Sequence, residues 1–509
     1  MKKLLMANRG EIAIRIFTTA RQMGIGTVAV YSEADANALH RFAADEAVPI
    51  GPGEAAQSYL RMDKLLDAAR ATGADAIHPG YGFLSEREEF AEKVIEAGLT
   101  FVGPPPEAMR KLGAKIAAKQ IAVSVDVPVT PGFFEEGATV EQLRESADKI
   151  GYPIMLKASA GGGGRGMRIV HDPANFDKEL QMASDEALNA FGDGAMMVEK
   201  YVTNPRHVEV QIVADREGNV LPLYERECSL QRRHQKLVEE SPSPYLLKHP
   251  EMWDAMREAA RRLVKASGYV GAGTVEFMVD PKENKFYFLE VNARLQVEHP
   301  VTEAITGLDL VKLQLEVARG KLVTELAPDF VAGDRARING HAIEARIVAE
   351  DPAQNFLPSV GQIVGWAEPK MPGIRVASGF GNGREISRFY DSLIAKVIAH
   401  GPDRETARLR LLSALRDFHI LGVKTNLAYL IDVVQHQGFI DGEFDTGFLG
   451  REFGEWAPPA PDLETIAFMV HESAPSPAIS RDRTRAASAW VKSDNWRVHR
   501  PIAGKVNEG

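Results

Sequence analysis

The sequence predicts an α/β protein of several domains: a doubly wound domain at the N-terminus, a middle domain with a glycine-rich lid, and an α+β domain at the C-terminus. The length of 509 residues exceeds what one ordinary hydrophobic core organises. Strand-like and helix-like segments alternate through about residue 103 and again from 335 to 445. Short apolar runs bounded by turns lie between these parts and are typical of an antiparallel sheet.

The N-terminal residues indicate a βαβ unit. An apolar strand at residues 3–7 leads through a glycine turn into an amphipathic helix, and a second apolar strand follows at 27–31. Helical periodicity at 59–71 and 88–97, each followed by a short apolar strand, continues the alternation. We therefore predict a first domain over residues 1–114.

A second domain is predicted over residues 115–330, with a lid subdomain at about 132–203. Lys157 ends an apolar strand that runs directly into Gly161–Gly164, and another apolar stretch follows. A glycine run is often a flexible linker, and this one lacks the Gly-Lys-Ser/Thr ending of a Walker A motif. Its place between two strands favours a hairpin lid over phosphates, with Lys157 as a phosphate contact.

Residues 274–298 carry the most informative pattern. They predict a hairpin that turns near residues 281–285 and sets Glu276 opposite Glu290. Like charges directly opposed on a sheet repel each other unless a cation lies between them. Asn292 projects from the same face as Glu290, so the hairpin predicts an all-oxygen site for Mg²⁺ or Mn²⁺ shared with substrate phosphates.

If the chain stays extended beyond this hairpin, one face of the strand is entirely polar. Its side chains are Glu290, Asn292, Arg294, Gln296 and Glu298. A solvated edge strand is one interpretation of such a face. The spacing of cation, amide and carboxylates favours instead an anion-binding and proton-transfer site beside the metal.

The basic run at residues 231–236 is the other polar cluster of note. Such runs are usually solvated surface, but in a protein of net charge -10 this one can supply local positive potential for an anionic substrate. His207 and His234 have no cysteine or His-Glu-x-x-His partner, so hydrogen-bonding roles are more probable for them than zinc ligation.

The composition limits the classes of binding partner and the cellular compartment that we expect for this protein. The pI of about 5.8 argues against nucleic acid as a general partner. Cys228 is the single cysteine, and the N-terminus carries no pattern of a cleavable signal, so we expect a reducing cytoplasm. No apolar run approaches the roughly 18 residues that span a bilayer, and we expect no membrane association.

The C-terminal part is predicted to comprise a compact domain over residues 335–445 and a tail over 446–509. Prolines recur in the tail, which is typical of a linker. Trp490 and Trp496 near the end indicate that the tail docks on another surface. We expect it to act as an assembly contact.

These segments together resemble the biotin carboxylase family over about residues 1–445. The motifs that carry the resemblance, besides Lys157 with its glycine lid, are residues 7–13 (ANRGEIA), 78–86 (HPGYGFLSE), 205–209 (PRHVE), 231–236 (QRRHQK), 271–274 (GAGT) and 296–303 (QVEHPVTE). Their order and spacing are more specific than the features shared with other ATP-grasp ligases. The resemblance implies a Rossmann-like N-terminal domain, an ATP-grasp domain and an α+β biotin carboxylase C-terminal domain.

The resemblance also implies a role for each site residue. Nucleotide contacts would come from Lys115, Lys157, Gly162, Gly163, Gly164, Glu199, Val202, His207, Gln231, His234, Glu276 and Glu290. Magnesium or manganese would be held by Glu276, Glu290 and Asn292. Bicarbonate and biotin would be bound by Tyr81, Lys236, Arg294, Gln296, Val297, Glu298, Arg346 and Asp391. Glu298 would remove the bicarbonate proton, and Arg346 would stabilise the biotin enolate.

The implied enzyme is a ligase that uses MgATP and bicarbonate to carboxylate biotin. The attachment signal Ala-Met-Lys-Met is absent from the sequence, so biotin would be carried by another chain or domain, and the carboxyltransferase would be separate. We expect a homodimer or a larger complex. The sequence does not identify the molecule that finally accepts the carboxyl group. Ala114 departs from the family, which commonly has aspartate there, and this puts the support of Lys115 in doubt.

Two other functions remain to be weighed. Another ATP-grasp ligase would lack the Gln-Val-Glu-His segment and the Glu-Ala-Arg segment around Arg346, and both are present. A subunit that binds nucleotide without turnover would have lost Glu276, Glu290, Glu298 or Arg346, and all four are retained.

Overall fold

The computed structural model describes residues 1–135, 137–159 and 166–458. The predicted nucleotide contacts of Gly162, Gly163 and Gly164 lie outside the described residues, as does most of the predicted tail, including Trp490 and Trp496.

The α-helices of the described chain are α1 (Gly10–Gln22), α2 (Leu39–Ala43), α3 (Met62–Thr72), α4 (Glu88–Glu96), α5 (Pro106–Gly113), α6 (Lys115–Ser124), α7 (Val140–Ile150), α8 (Phe176–Phe191), α9 (Pro250–Ser267), α10 (His299–Thr306), α11 (Leu310–Ala318), α12 (Val323–Leu326), α13 (Arg404–Asp417), α14 (Leu427–Gln435), α15 (Gln437–Ile440) and α16 (Phe448–Glu452).

The strands are β1 (Lys3–Met6), β2 (Gly26–Ser32), β3 (Glu46–Gly51), β4 (Ala76–His78), β5 (Thr100–Phe101), β6 (Gly132–Phe133), β7 (Ile154–Ala158), β8 (Met167–Val170), β9 (Met196–Lys200), β10 (Arg206–Ala214), β11 (Val220–Arg232), β12 (Gln235–Ser241), β13 (Gly271–Asp280), β14 (Lys285–Asn292), β15 (His341–Val348), β16 (Glu350–Asp351), β17 (Leu357–Pro358), β18 (Gly361–Gln362), β19 (Gly365–Ala367), β20 (Ile374–Ser378), β21 (Glu385–Ile386), β22 (Leu393–Gly401) and β23 (His419–Leu421).

The N-terminal sheet is parallel and has the order β3-β2-β1-β4-β5. The chain turns from β1 into α1 at Gly10, whose φ of +71° suits glycine because it has no Cβ. Helix α1 then buries Ile12, Ile16 and Phe17. The predicted doubly wound α/β domain is confirmed.

The lid sheet has the order β6-β9-β7-β8. Strands β7 and β8 are antiparallel and pair Lys157 with Met167, as the two arms of a hairpin do. Leu143 of α7 and Phe176 at the start of α8 are buried in the apolar cluster that covers this sheet. The hairpin places Lys157 at the end of β7 on the side of the glycine-rich segment.

The largest sheet has the order β14-β13-β10-β11-β12-β15-β22-β20. Its first five strands include three of the apolar runs that indicated an antiparallel sheet. Strand β12 then pairs with β15, with Val238 opposite Ala345, so the sheet continues into the third predicted domain. The sequence indicates the strands but not this pairing, because β12 and β15 are far apart along the chain.

The chain does not stay extended from Glu290 to Glu298, so that part of the prediction is wrong. Strand β14 ends at Asn292, and Glu298 precedes helix α10 with φ -80° and ψ 5°. Pro300 lies in the first turn of α10, where its missing N–H and restricted φ are favourable. The intervening loop turns the chain toward this helix.

The C-terminal core extends beyond the predicted boundary at residue 445. Phe448 and Leu449 of α16 are buried in it, and the Trp456 Nε1 donates to Asp432 at 2.7 Å. Residues 446–457 are therefore packed rather than linker, because their aromatic side chains complete this core. No helix in the described part of the chain has the length and apolar character needed to cross a membrane.

Candidate active site

One cavity of about 1190 Å³ brings the predicted site residues together. Every one of them that the structure describes contributes to its lining. These residues are Tyr81, Lys115, Lys157, Glu199, Val202, His207, Gln231, His234, Lys236, Glu276, Glu290, Asn292, Arg294, Gln296, Val297, Glu298, Arg346 and Asp391.

Lys236 connects three carboxylates inside this cavity. Its Nζ lies 2.5 Å from Glu209, 2.9 Å from Glu276 and 2.6 Å from Glu298. Burial lowers the pKa of Lys236, but the three carboxylates outweigh this and raise it well above the ordinary lysine value. Lys236 therefore stays cationic and holds the side chains from β10, β13 and the loop before α10 in one cluster.

Glu298 lies between two cations. One oxygen contacts Lys236 and the other accepts from Arg346 at 2.9 Å. Burial raises the pKa of Glu298, yet Lys236, Arg346 and Arg226 together hold it well below the usual range. Glu298 is therefore a carboxylate that can accept a proton from a neighbouring ligand.

Arg226 of β11 was not identified from the sequence. It is fully buried and donates to Glu209 at 2.6 Å, to Gln211 at 2.5 Å and to Gln296 at 2.8 Å. It thus fixes side chains on which the Lys236 cluster depends. The available signal was its place between Glu225 and Glu227 in the middle of strand β11, which does not by itself indicate a functional role.

The hairpin of β13 and β14 has the predicted register, with Glu276 directly opposite Glu290. Glu276 is buried and its Oε2 lies 3.0 Å from His207, whereas Glu290 opens to the cavity. Asn292 donates its amide nitrogen to Glu276 at 2.8 Å and accepts from Arg294 at 3.0 Å. Two opposed carboxylates and an amide fit a divalent cation, provided that the amide turns its oxygen inward.

A second ion-pair cluster surrounds Glu199 of β9. Its two oxygens lie 2.6 Å from Lys119 and 2.7 Å from Lys157. Burial raises the pKa of Glu199, but both lysines outweigh this and lower it to about 2. Lys119 is buried on α6 and was missed from the sequence, because nothing in the motif order relates α6 to β9.

Lys115, His234 and Gln231 complete the polar lining on the nucleotide side of the predicted site. The Nζ of Lys115 donates to the carbonyl of Ala158 at 3.4 Å, close to the glycine-rich segment. Burial lowers the pKa of His234, and Lys157 lowers it further. The lowered pKa favours the neutral imidazole of His234, and its hydrogen-bonding role stays a prediction.

The remaining predicted residues lie where the N-terminal and C-terminal parts meet. The Tyr81 hydroxyl donates to Glu11. Glu11 also pairs at 3.0 Å with the fully buried Lys396, which donates to the Val297 carbonyl at 2.8 Å. Asp391 is exposed at the rim.

Comparisons with known proteins identify the family of each part of the chain. Three family models match: "Biotin carboxylase, N-terminal domain" over residues 1–109, "Carbamoyl-phosphate synthase L chain, ATP binding domain" over 114–326, and "Biotin carboxylase C-terminal domain" over 344–451. The boundaries predicted from sequence for the first two domains and for the lid stay predictions.

Among curated relatives, the mitochondrial methylcrotonoyl-CoA carboxylase subunit alpha of Rattus norvegicus is 47% identical over 90% of this chain. The chain spans 63% of that relative's length. The corresponding Dictyostelium discoideum subunit is 43% identical over 99% of this chain, which spans 71% of it.

A solved structure of the biotin carboxylase domain dimer of Hydrogenobacter thermophilus 2-oxoglutarate carboxylase, with MgADP and bicarbonate, has 43% identity and a TM-score of 0.84. The likeness covers 90% of this chain and 99% of that one. Identity and coverage at this level, together with the three family models, show that the chain belongs to the biotin carboxylase family.

Proposed function

We propose that this chain catalyses the MgATP-dependent carboxylation of biotin by bicarbonate, through carboxyphosphate. The observation that carries the proposal is the position of Glu298 between Lys236 and Arg346, in a cavity that also contains the opposed carboxylates Glu276 and Glu290. A base, two cations and an oxygen-ligand site in one cavity are the groups that this reaction requires.

Magnesium or manganese would be held by Glu276, Glu290 and the amide oxygen of Asn292. Such an ion, when bound, neutralises the charge that develops on transferring phosphates. On the nucleotide side, Lys115 and Lys157 would contact phosphate oxygens, since both reach the cavity beside the glycine-rich segment. Glu199, His207, Gln231, His234 and Val202 would orient the nucleotide.

Bicarbonate would be bound by Lys236, Arg294, Gln296 and the backbone of Val297. A bicarbonate that contacts Lys236 weakens the contact of that lysine with Glu298, so the pKa of Glu298 rises from its lowered value and its basicity increases. Glu298 then takes the bicarbonate proton. The freed bicarbonate oxygen forms a bond to the γ-phosphorus as the bond from that phosphorus to ADP breaks, which yields carboxyphosphate and ADP.

Arg346 would act in the second step. Carboxyphosphate decomposes to CO₂ and phosphate, and the phosphate takes the ureido proton of biotin. Arg346 stabilises the enolate oxygen that results, and the enolate nitrogen bonds to CO₂. Tyr81 and Asp391 would shape the biotin end of the cavity.

We further propose that biotin is presented by a carrier on another chain or domain and that a separate carboxyltransferase receives the carboxyl group. The homodimer is supported by the dimeric form named for the Hydrogenobacter thermophilus domain. Cys228 is the only cysteine and is buried, which fits a reducing compartment. The cytoplasm stays our proposal, although the rat and Dictyostelium discoideum relatives are named mitochondrial.

The test is ADP release from MgATP and bicarbonate, with and without free biotin, for the wild type and Glu298→Gln. We expect biotin to stimulate turnover, and we expect the variant to lose about 10²–10⁴-fold in kcat because it has no general base. Nucleotide affinity should stay within about threefold, because Glu298 contacts Lys236 and Arg346 rather than the lysines around Glu199. A folded, ATP-binding protein without biotin stimulation would point to another ATP-grasp ligase or to a nucleotide-binding subunit.

A further inference from the structure

Two buried carboxyl groups lie directly opposite each other behind Arg346. Glu239 of β12 pairs with Glu344 of β15 across an antiparallel ladder, and both side chains are fully buried. Side chains of directly opposed residues stand close together on one face of a sheet. Arg346 and its cross-strand partner Lys396 of β22 belong to the same face.

The hydrogen bonds of this pair are unequal. Glu239 accepts from the Arg346 Nε at 2.5 Å through Oε1. Among the residues that the structure describes, Oε2 of Glu239 and both oxygens of Glu344 are buried without a hydrogen-bond partner. Three such oxygens on two adjacent carboxyl groups are costly if both groups are ionised, because only Oε1 of Glu239 has a cationic hydrogen-bond donor.

The charged groups that face Glu344 do not offer it a direct partner. They are Glu239 on β12, Arg346 on β15, Lys396 on β22 and Glu298 in the loop before α10. Helix α10 packs against β15 and carries two further titratable groups, His299 and Glu303. Lys396 already contacts Glu11 and the Val297 carbonyl. The guanidinium of Arg346 is bonded to Glu239 and Glu298.

The expected titration agrees with this geometry. Burial raises the pKa of Glu344 well above its usual range against the opposing effect of Lys396, and Glu239 raises it further. Burial also raises the pKa of Glu239, to about 7, although Arg346 lowers it. The proton therefore resides on Glu344, since Arg346 stabilises the ionised form of Glu239.

We propose that Glu344 and Glu239 form a carboxyl pair that holds one proton, and that Glu344, as its neutral member, is a positioning residue for Arg346. The proton lets Glu344 donate to the unpartnered Oε2 of Glu239. Glu239 then carries a single negative charge toward Arg346, which leaves the other side of the guanidinium for Glu298. Loss of the proton doubles the negative charge behind Arg346 and draws the guanidinium away from Glu298 and the cavity.

The kinetic test rests on the proposed function. It compares kcat/KM for free biotin across neutral and alkaline pH in the wild type, Glu344→Gln and Glu344→Leu. Glutamine is neutral and can donate to Glu239, so Glu344→Gln should stay within about threefold of the wild type at neutral pH. It should also lack the decline that deprotonation of the pair causes in the wild type at alkaline pH. Leucine cannot donate, and Glu344→Leu should lose about tenfold or more.

Glu225→Gln is the matched control. Glu225 is a fully buried carboxyl group on β11 of the same sheet, but its contacts are Arg335 and Ser243. It should leave the shape of the pH profile unchanged. An alkaline decline in Glu344→Gln equal to that of the wild type, or a loss in Glu344→Gln as large as in Glu344→Leu, would overturn the proposal.

Infrared spectroscopy separates this proposal from the proposed function. Other buried carboxyl groups with raised pKa values, such as Glu225, can also contribute a protonated carbonyl stretch, so the readout is the difference spectrum of the wild type minus Glu344→Gln at neutral pH. That difference should contain a protonated carboxyl band, and a difference spectrum without one contradicts the carboxyl pair whether or not biotin stimulates turnover. A wild type that shows this band but no biotin-stimulated turnover contradicts the proposed function alone.

Discussion

Two buried clusters of lysine and glutamate line the cavity, and their compositions are opposite. In the acidic cluster, the single ammonium of Lys236 contacts the carboxylates of Glu209, Glu276 and Glu298. In the basic cluster, the single carboxylate of Glu199 contacts the ammonium groups of Lys119 and Lys157. Among these lysines and glutamates, one cluster thus has more carboxylates than ammonium groups and the other has more ammonium groups than carboxylates, although Arg226 and Arg346 also pair with Glu209 and Glu298 in the first.

This difference fits the ligands proposed for the two sides of the cavity. An acidic excess beside Glu290 is relieved by a divalent cation, and a basic excess beside Lys115 is relieved by a polyphosphate. We call the single group of opposite charge in each cluster, Lys236 or Glu199, its minority group. Both minority groups stay ionised, because the pKa of Lys236 is raised and that of Glu199 is lowered. Lys236 therefore holds the carboxylates of the acidic cluster together, and Glu199 holds the lysines of the basic cluster together.

The largest effect is expected from removal of the minority group in the acidic cluster. Lys236→Met leaves three carboxylates without their shared cation, so the free energy of unfolding should fall by about 3–5 kcal/mol at neutral pH. The loss should shrink as pH falls, because the carboxylates regain protons. Urea unfolding at neutral and mildly acid pH measures this.

Lys321→Met serves as the control, because Lys321 is exposed and pairs with Glu316 at 3.1 Å. It should change the free energy of unfolding by about 0.5 kcal/mol or less. Equal losses in the two variants would mean that Lys236 does not organise the acidic cluster.

Removal of the minority group in the basic cluster should have a smaller effect. Glu199→Gln leaves Lys119 and Lys157 without their shared carboxylate, but Lys157 is partly exposed and can reach water. We expect a loss of about 2–3 kcal/mol in the free energy of unfolding, part of which ADP restores through its phosphates.

The pH dependence of the same variant has a definite sign. Because the pKa of Glu199 is lowered to about 2, its stabilising contribution is complete above the unfolded value of 4.5 and is lost as pH falls toward 2. The difference between the wild type and Glu199→Gln should therefore shrink in acid. The exposed Glu145, which pairs with Lys149, supplies the control Glu145→Gln; a constant difference at all pH values would show that Glu199 carries no linked proton.

The proposed metal-binding role of Glu276 is tested by Mn²⁺ affinity in the presence of ADP. Glu276→Gln removes one of the two opposed charges and should weaken binding by about tenfold, or about 1.4 kcal/mol. Titration followed by electron paramagnetic resonance measures the free ion. Glu283→Gln, at the exposed turn of the same hairpin, should bind Mn²⁺ as the wild type does, and equal affinities in all three proteins would exclude Glu276 as a ligand.

The smallest effect concerns the start of helix α6. Ala114 precedes this helix in an extended conformation and has no side chain to cap it. Ala114→Asp should raise the free energy of unfolding by about 0.5–1 kcal/mol through an N-cap hydrogen bond. Ala114→Leu should show no gain, and an equal gain in both variants would locate the effect in packing rather than in the cap.

The two clusters differ in how much of each was predicted from the sequence. In the acidic cluster, the two-residue period of one hairpin indicates Glu276 together with the neighbouring Glu290 and Asn292, because that period determines which side chains share a face, and the family resemblance supplies Lys236 and Glu298. In the basic cluster, the resemblance supplies Lys157 and Glu199, but Lys119 was missed because it lies on α6, and no local pattern relates that helix to β9. Arg226 was missed for the same reason, since its partners come from several strands and loops.

The sequence alone determined the α/β class, the hairpin register and the residues that carry the family motifs, because strand period, turn residues and motif order are local properties. Only the tertiary structure decided that β12 pairs with β15. That pairing joins the middle and C-terminal parts in one sheet and places Arg346 beside Glu298. The partners in such contacts are selected by packing and burial across the whole fold, and these depend on segments that are distant in the chain.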